Sequence, residues 1–305
     1  MHTSTVSELH APLDPEELEA AGTPATAEIS PATTLGAVHL TVADLGRSAA
    51  YYRSAIGLEV RSDGDGTASL GAGDRDLVVL VEEPGASSGA GYTGLYHLAL
   101  LLPERADLAR WLAHAARDRV PLSGLSDHYV SEAIYLSDPD GHGIEIYRDR
   151  PRDVWEGQVS GRMTTLPLDT ESLLGELDDP ASDPFDGMPA GTVMGHVHLK
   201  ASSIPETLAF WRDRVGFALM AEYGSQAAFL AAGGYHHHLG ANTWESAGAG
   251  KPPAGTAALR HGTIVLPDAT ERDRVLARVG SHRDTEAGPL IEDPSGNAFV
   301  LAVPA

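Results

Sequence analysis

Four segments of the chain begin alike: GAVHLTVADL from Gly36, GLYHLALLLP from Gly94, GHVHLKASSI from Gly195 and ALRHGTIVLP from Ala258. Internal repetition constrains a fold more than any other sequence feature, because each copy must adopt one supersecondary unit. Every copy opens on a β-type run with a histidine near its start: His39, His97, His198 and His261. A helical pattern follows. In copies one and three it spans 47–56 and 205–215 and stops at Gly57 and Gly216; in copies two and four it spans 105–119 and 269–279. Glycine just past a helix end is ordinary helix punctuation. Alternating strand-like runs come next, and Asp138-Pro139-Asp140-Gly141 and Asp293-Pro294-Ser295-Gly296 are turns at one place in copies two and four. Each module therefore reads β-α-β-β-β, an α+β unit. Alone it would leave one sheet face bare, so modules must pair.

The repeats divide the chain. Residues 1–34 read as a loose arm with a short helix near 15–21, residues 35–150 as modules one and two, 151–192 as an acidic linker with at most one helix, and 193–305 as modules three and four. Lysine and arginine number 21 against 43 aspartates and glutamates, a formal charge of −22. That balance speaks against a nucleic-acid partner and against an anionic membrane surface. No apolar run reaches the ~20 residues that span a bilayer. The N-terminus lacks the pattern of a secretory signal, so a cytoplasmic location is expected. Cysteine is absent, which excludes thiolate metal sites and a cysteine nucleophile, whereas histidine numbers 14. Any metal must be held by nitrogen and oxygen.

Four βαβββ modules with first-strand histidines and D-P-x-G turns resemble the vicinal-oxygen-chelate superfamily, which includes glyoxalase I, fosfomycin-resistance proteins and type I extradiol dioxygenases. The resemblance covers about 35–305. It implies four modules paired into two cup-shaped mixed β-sheets with a divalent metal inside a cup. The segment from His128 to Glu145, HYVSEAIYLSDPDGHGIE, is similar to the extradiol ring-cleavage signature: a histidine, a hydrophobic–tyrosine pair (Ile134-Tyr135), the D-P-x-G turn and a glutamate ligand. GLYHLALLLPER, MGHVHL and GGYHHHLGANTW are similar to two-domain bacterial catechol-2,3-dioxygenases.

The resemblance implies a non-haem Fe(II) site, with Mn(II) as an alternative metal, built from two histidines and one carboxylate that leave open positions. Modules one and two together would offer His39, His97 and Glu145. Modules two and three would offer His97, Glu145 and His198. Modules one and four would offer His39 and His261, but Val300 stands where Glu145 stands in module two. The two-plus-three cup is preferred, because relatives carry a base histidine on the last strand of the partner module, and only module three has histidines there. His236 and His238 alternate against His237, and alignment to Glu145 selects His238. The expected set is thus His97, Glu145 and His198 on the metal, His238 as base, and Tyr135 with His128 as acid–base partners. His39 and His261 read as repeat relics; Trp155, Trp211, Trp244 and Met163 read as packing, with Trp244 at the pocket mouth. The implied activity is extradiol cleavage of a catechol with O2 by a homo-oligomer. The rivals are a glyoxalase-like isomerase or lyase, a hydroquinone dioxygenase, and a protein that only binds an aromatic or a drug.

Overall fold

A computed structural model of the chain describes residues 28–178 and 184–304; the short helix expected near 15–21 lies outside them. Module one consists of β1 (Val38–Val42), α1 (Leu45–Tyr51), β2 (Glu59–Gly64), β3 (Thr67–Ala72) and β4 (Arg75–Glu82). Module two is β5 (Gly94–Leu101), α2 (Arg105–Asp118), β6 (Gly124–Asp127), β7 (Ser131–Ser137) and β8 (Gly143–Asp149). Module three is β9 (Val193–Lys200), α3 (Ile204–Phe210), β10 (Ala218–Tyr223), β11 (Ala227–Ala231) and β12 (Leu239–Asn242). Module four is β13 (Leu259–Val265), α4 (Ala269–Val279), β14 (Arg283–Thr285), β15 (Gly288–Glu292) and β16 (Ala298–Ala302).

The helices start where their capping residues stand. Asp44, Ser203 and Asp268 each accept the backbone N–H three residues on, filling one of the donors a helix start leaves unpaired. α1 and α3 widen into π turns over Tyr52–Ile56 and Trp211–Val215, and both end on a left-handed glycine, Gly57 at φ 94° and Gly216 at φ 103°. Positive φ is cheap only for glycine.

Two sheets form, and neither joins neighbours in the sequence in the order 1–2, 3–4. One sheet runs β6-β7-β8-β5-β9-β12-β11-β10 and unites modules two and three; the other runs β14-β15-β16-β13-β1-β4-β3-β2 and unites one and four. In each, the first strands of the two modules meet antiparallel at the centre: β5 with β9, β1 with β13. Module one is clasped to two, and three to four, in a different way. The carboxylate of Asp138 accepts the N–H groups of Asp140 and His142 within its own turn, and also the hydroxyl of Tyr52 from module one. Asp293 accepts Ser295 and Asn297 in the same way, and also the indole N–H of Trp211 from module three.

Alternation sorts the faces of the two-plus-three sheet. Leu98, Leu100, Ile144, Ile146, Val197 and Leu199 enter the main core between sheet and helices. His97, Ala99, Glu145, Tyr147, His196 and His198 take the other, concave face. The 151–192 segment covers part of that concavity and is richer in structure than expected: it holds three short helices, Arg152–Trp155, Val159–Arg162 and Thr170–Leu174, and a strand Leu166–Pro167 paired with β6. Trp155, Val159 and Met163 pack there with Met220, Tyr223 and Phe229 of module three. No described helix is long and apolar enough to cross a membrane.

Candidate metal centre

Strands β8, β5 and β9 lie side by side, and their register sets the site. Glu145 is opposite Ala99 in the parallel β8–β5 pair, and His196 is opposite Ala99 in the antiparallel β5–β9 pair. Glu145 and His196 therefore stand level across a strand whose own side chain is only a methyl group. His97 precedes Ala99 by two residues and shares its face. The three converge: His196 Nε2 lies 2.9 Å from Glu145 Oε2, His97 Nε2 lies 3.0 Å from the same oxygen, and the two ring nitrogens are 3.3 Å apart. All three side chains are buried. Entry of His196 depends on Gly195, where the β5–β9 register shifts. A Cβ at Gly195 would overlap the hydroxyl of Tyr147, which reaches over from β8.

Burial would push the Glu145 carboxyl up, but His196 and His97 outweigh it and hold the group well below the usual carboxylate range. Burial lowers His196, and Glu145 offsets this only in part. Neutral imidazole and ionised carboxylate are the forms that bind a cation. The spacing agrees. Donors at right angles around a metal, each bonded at about 2.1 Å, lie about 3.0 Å from one another. The donor set of two histidines and one carboxylate therefore fits a divalent metal, and it is the arrangement that leaves one face free for other ligands. Among the described residues it is the one such cluster.

The cluster forms the floor of a cavity with ≈ 450 Å³ of empty space, counting the part that opens to solvent. Tyr223, Phe229, Trp244 and Met163 supply apolar walls. The polar side carries His237 and the pair His128–Tyr135. His128 Nδ1 is 2.9 Å from the carbonyl oxygen of Thr164, so this nitrogen donates. In neutral His128, Nε2 then accepts the Tyr135 hydroxyl at 2.7 Å. The linker segment thus fixes the tautomer of His128 and gives the cavity Met163 and Thr165.

Of the residues expected from sequence, His97, Glu145, His128 and Tyr135 share this cavity. His198 does not stand beside Glu145. The first-strand equivalence is real, since His198 lies directly opposite His97 and His261 opposite His39. But that register places His198 one rung away from Glu145, and its Nε2 accepts a hydrogen bond from Asn242 Nδ2 at 3.0 Å. His198 lines the cavity while His196, two residues earlier, takes the position beside the carboxylate. His238 also departs from expectation: it is not among the cavity-lining residues, and its Nδ1 accepts the backbone N–H of Ala232. Strand alternation does not carry into 236–238, because β12 begins only at Leu239, after a turn at Gly233 and Gly234 with positive φ. His237 is the member of the triplet that enters the cavity, its ring 4.1 Å from that of His196. In the other sheet His39 and His261 stack at 4.0 Å, with Val300 paired to Thr263 where Glu145 pairs to Ala99 in the first.

A family model described as the Glyoxalase/Bleomycin resistance protein/Dioxygenase superfamily matches residues 34–146. A catechol-2,3-dioxygenase of Bacillus subtilis (strain 168) is 41% identical over 281 residues, covering 89% of this chain and 97% of its own length. Among solved structures, one from Bacillus subtilis subsp. subtilis str. 168 superimposes with a TM-score of 0.60 at 17% identity, covering 88% of this chain and 85% of that one. Glyoxalase I from Zea mays gives a TM-score of 0.55 at 14% identity, over 88% and 92% of the two chains. With one relative aligned over nearly all of both chains and the paired-module fold in common, the chain belongs to the glyoxalase/bleomycin resistance protein/dioxygenase superfamily.

Proposed function

We propose that the protein is a non-haem Fe(II) extradiol dioxygenase that cleaves a catechol ring with O2 beside its two hydroxyls, giving a hydroxymuconic semialdehyde that retains both oxygen atoms. The observation that carries this reading is one cavity holding a His97–Glu145–His196 donor set, a neutral histidine and a tyrosine–histidine pair. The name of the 41% identical Bacillus relative supports the substrate class. His97, His196 and Glu145 would hold the metal. Fe(II), with Mn(II) as alternative, supplies Lewis acidity toward a phenol oxygen and the redox chemistry with O2.

The remaining work falls to the chain. Burial first, then His196 and His236, hold the His237 imidazole well below its ordinary pKa, so it enters the reaction neutral and can take a phenolic proton. Tyr135 and His128 hold a second proton at the far end of one hydrogen bond and deliver it to a ring oxygen. Tyr223, Phe229, Trp244 and Met163 clamp a planar ring and exclude water. A hydroquinone-cleaving site between modules one and four is disfavoured, because Val300 leaves that sheet without the carboxylate.

Anaerobic loading with Fe(II), then addition of catechol and O2, tests the reading. A yellow ring-fission product with matching O2 uptake is expected. Iron-loaded protein that leaves a panel of catechols unchanged under O2 overturns it.

A further inference from the structure

Behind His237 runs a chain of hydrogen bonds that cavity binding does not require. His237 Nδ1 lies 2.7 Å from His236 Nδ1, and His236 Nε2 lies 2.8 Å from Asp149 Oδ1. His236 is wholly buried, with Trp155 of the linker 5.5 Å from its ring, whereas the Asp149 side chain is 22% exposed. An ionised carboxylate only accepts, so His236 Nε2 carries the hydrogen it shares with Asp149. In neutral His236 the other nitrogen, Nδ1, is then an acceptor. The hydrogen between the two imidazoles must belong to His237 Nδ1, and the nitrogen left for the cavity is a bare Nε2.

We infer that Asp149 and His236 are positioning residues that hold His237 in the one tautomer able to act as a base. This rests on the dioxygenase reading for its chemistry but not for its geometry. When Nε2 takes a phenolic proton, Nδ1–H can pass to His236 Nδ1 while His236 Nε2–H passes to Asp149 and on to water. One proton enters the relay and one leaves, and no charge stays buried. The logic is that of an acid holding a base in register, where the wrong tautomer abolishes the base function without moving the ring.

Two readouts test it. In metal-free, 15N-histidine-labelled protein, with the signal assigned through His237→Gln, His237 is expected to show a protonated Nδ1 and a bare Nε2. Replacement of His236 by Phe keeps ring volume and removes both hydrogen bonds; His237 should then populate both tautomers, and kcat for catechol should fall about 10²-fold or more, the usual weight of acid–base assistance, with KM little changed. His236→Asn returns an oxygen acceptor for His237 Nδ1–H and should recover kcat relative to His236→Phe. A packing role predicts the opposite order, with Phe better tolerated than Asn in a buried slot. A bare Nδ1 in the unaltered protein, full kcat in His236→Phe, or Phe outperforming Asn overturns the relay. The tautomer is read without metal or substrate, so it judges the relay separately from the dioxygenase reading, which falls on absence of ring cleavage by the unaltered protein.

Discussion

Glu145 meets His97 and His196 through one oxygen, and metal retention tests that pairing. His196→Ala should reduce retention of Fe(II) by more than the roughly 10–100-fold that losing an outer partner costs, and Glu145→Gln should do the same. His198→Ala should retain metal, since that ring is bonded to Asn242 and not to the carboxylate. Metal content after gel filtration of anaerobically loaded protein checks all three; metal lost from His198→Ala and kept by His196→Ala would reverse the assignment. The repeat singles out His97, and Glu145 stands out through its likeness to the ring-cleavage signature; neither signal points to His196. Equivalent first-strand positions meet each other across the sheet centre, so a copy of His97 faces His97 and not Glu145. The usable signal was the small Ala99, which lets neighbours on both sides meet above it. A second residue-level effect is acid sensitivity. Burial, then His236 and His196, push His238 down to about 3. At this position the unfolded chain therefore binds a proton from about pH 6.5 downward while the folded chain does not, so the contribution of His238 to stability is full above 6.5 and falls with pH by about 1.4 kcal/mol per unit until the folded pKa is reached. The other depressed histidines add to this slope, so urea midpoints between pH 7.5 and 5 should fall at least this steeply, and His238→Gln should lessen the fall by about 1.4 kcal/mol per unit.

At the scale of elements, helices and turns followed their sequence signals closely: α4 spans 269–279 as expected, and α2 ends one residue short of 119. These are local structures set by caps and glycines, so a single stretch of sequence is enough to read them. The linker was less legible because its three helices are four or five residues long and hold their shape by packing, Trp155 and Met163 being apolar residues without helical period. The triplet before β12 does not alternate for a related reason, since alternation is a property of strands and ends with them. Strand geometry also makes a prediction. Gly195→Ala forces a methyl group against the Tyr147 hydroxyl at the register shift that admits His196. Overpacking of this kind costs about 1–3 kcal/mol, so thermal melting should drop and metal retention should weaken with it. An unchanged melting point with weakened metal would mean that the strand yields locally instead of straining.

For the molecule as a whole, the pairing of modules two with three was anticipated from the position of the histidine triplet, and the sheet order agrees. The other sheet has the same plan without the carboxylate, Val300 standing at the place of Glu145. Its histidines stack at 4.0 Å, and burial, then His39, push His261 down to about 4, so the pair stays neutral near pH 7. His39→Ala and His261→Ala should leave metal content and catechol turnover unchanged, and a loss of either would show that the second sheet takes part. The crossed pairing carries a consequence for biosynthesis. The sheet with the His97–Glu145–His196 cluster is drawn from one uninterrupted run, β5 to β12, and can close once residue 242 has left the ribosome. β1 must wait for β13, some seventeen residues later still in the chain, holding an open sheet edge through nearly all of translation. Unpaired edges invite association between nascent chains, so the sheet of modules one and four is where slow folding and aggregation should concentrate.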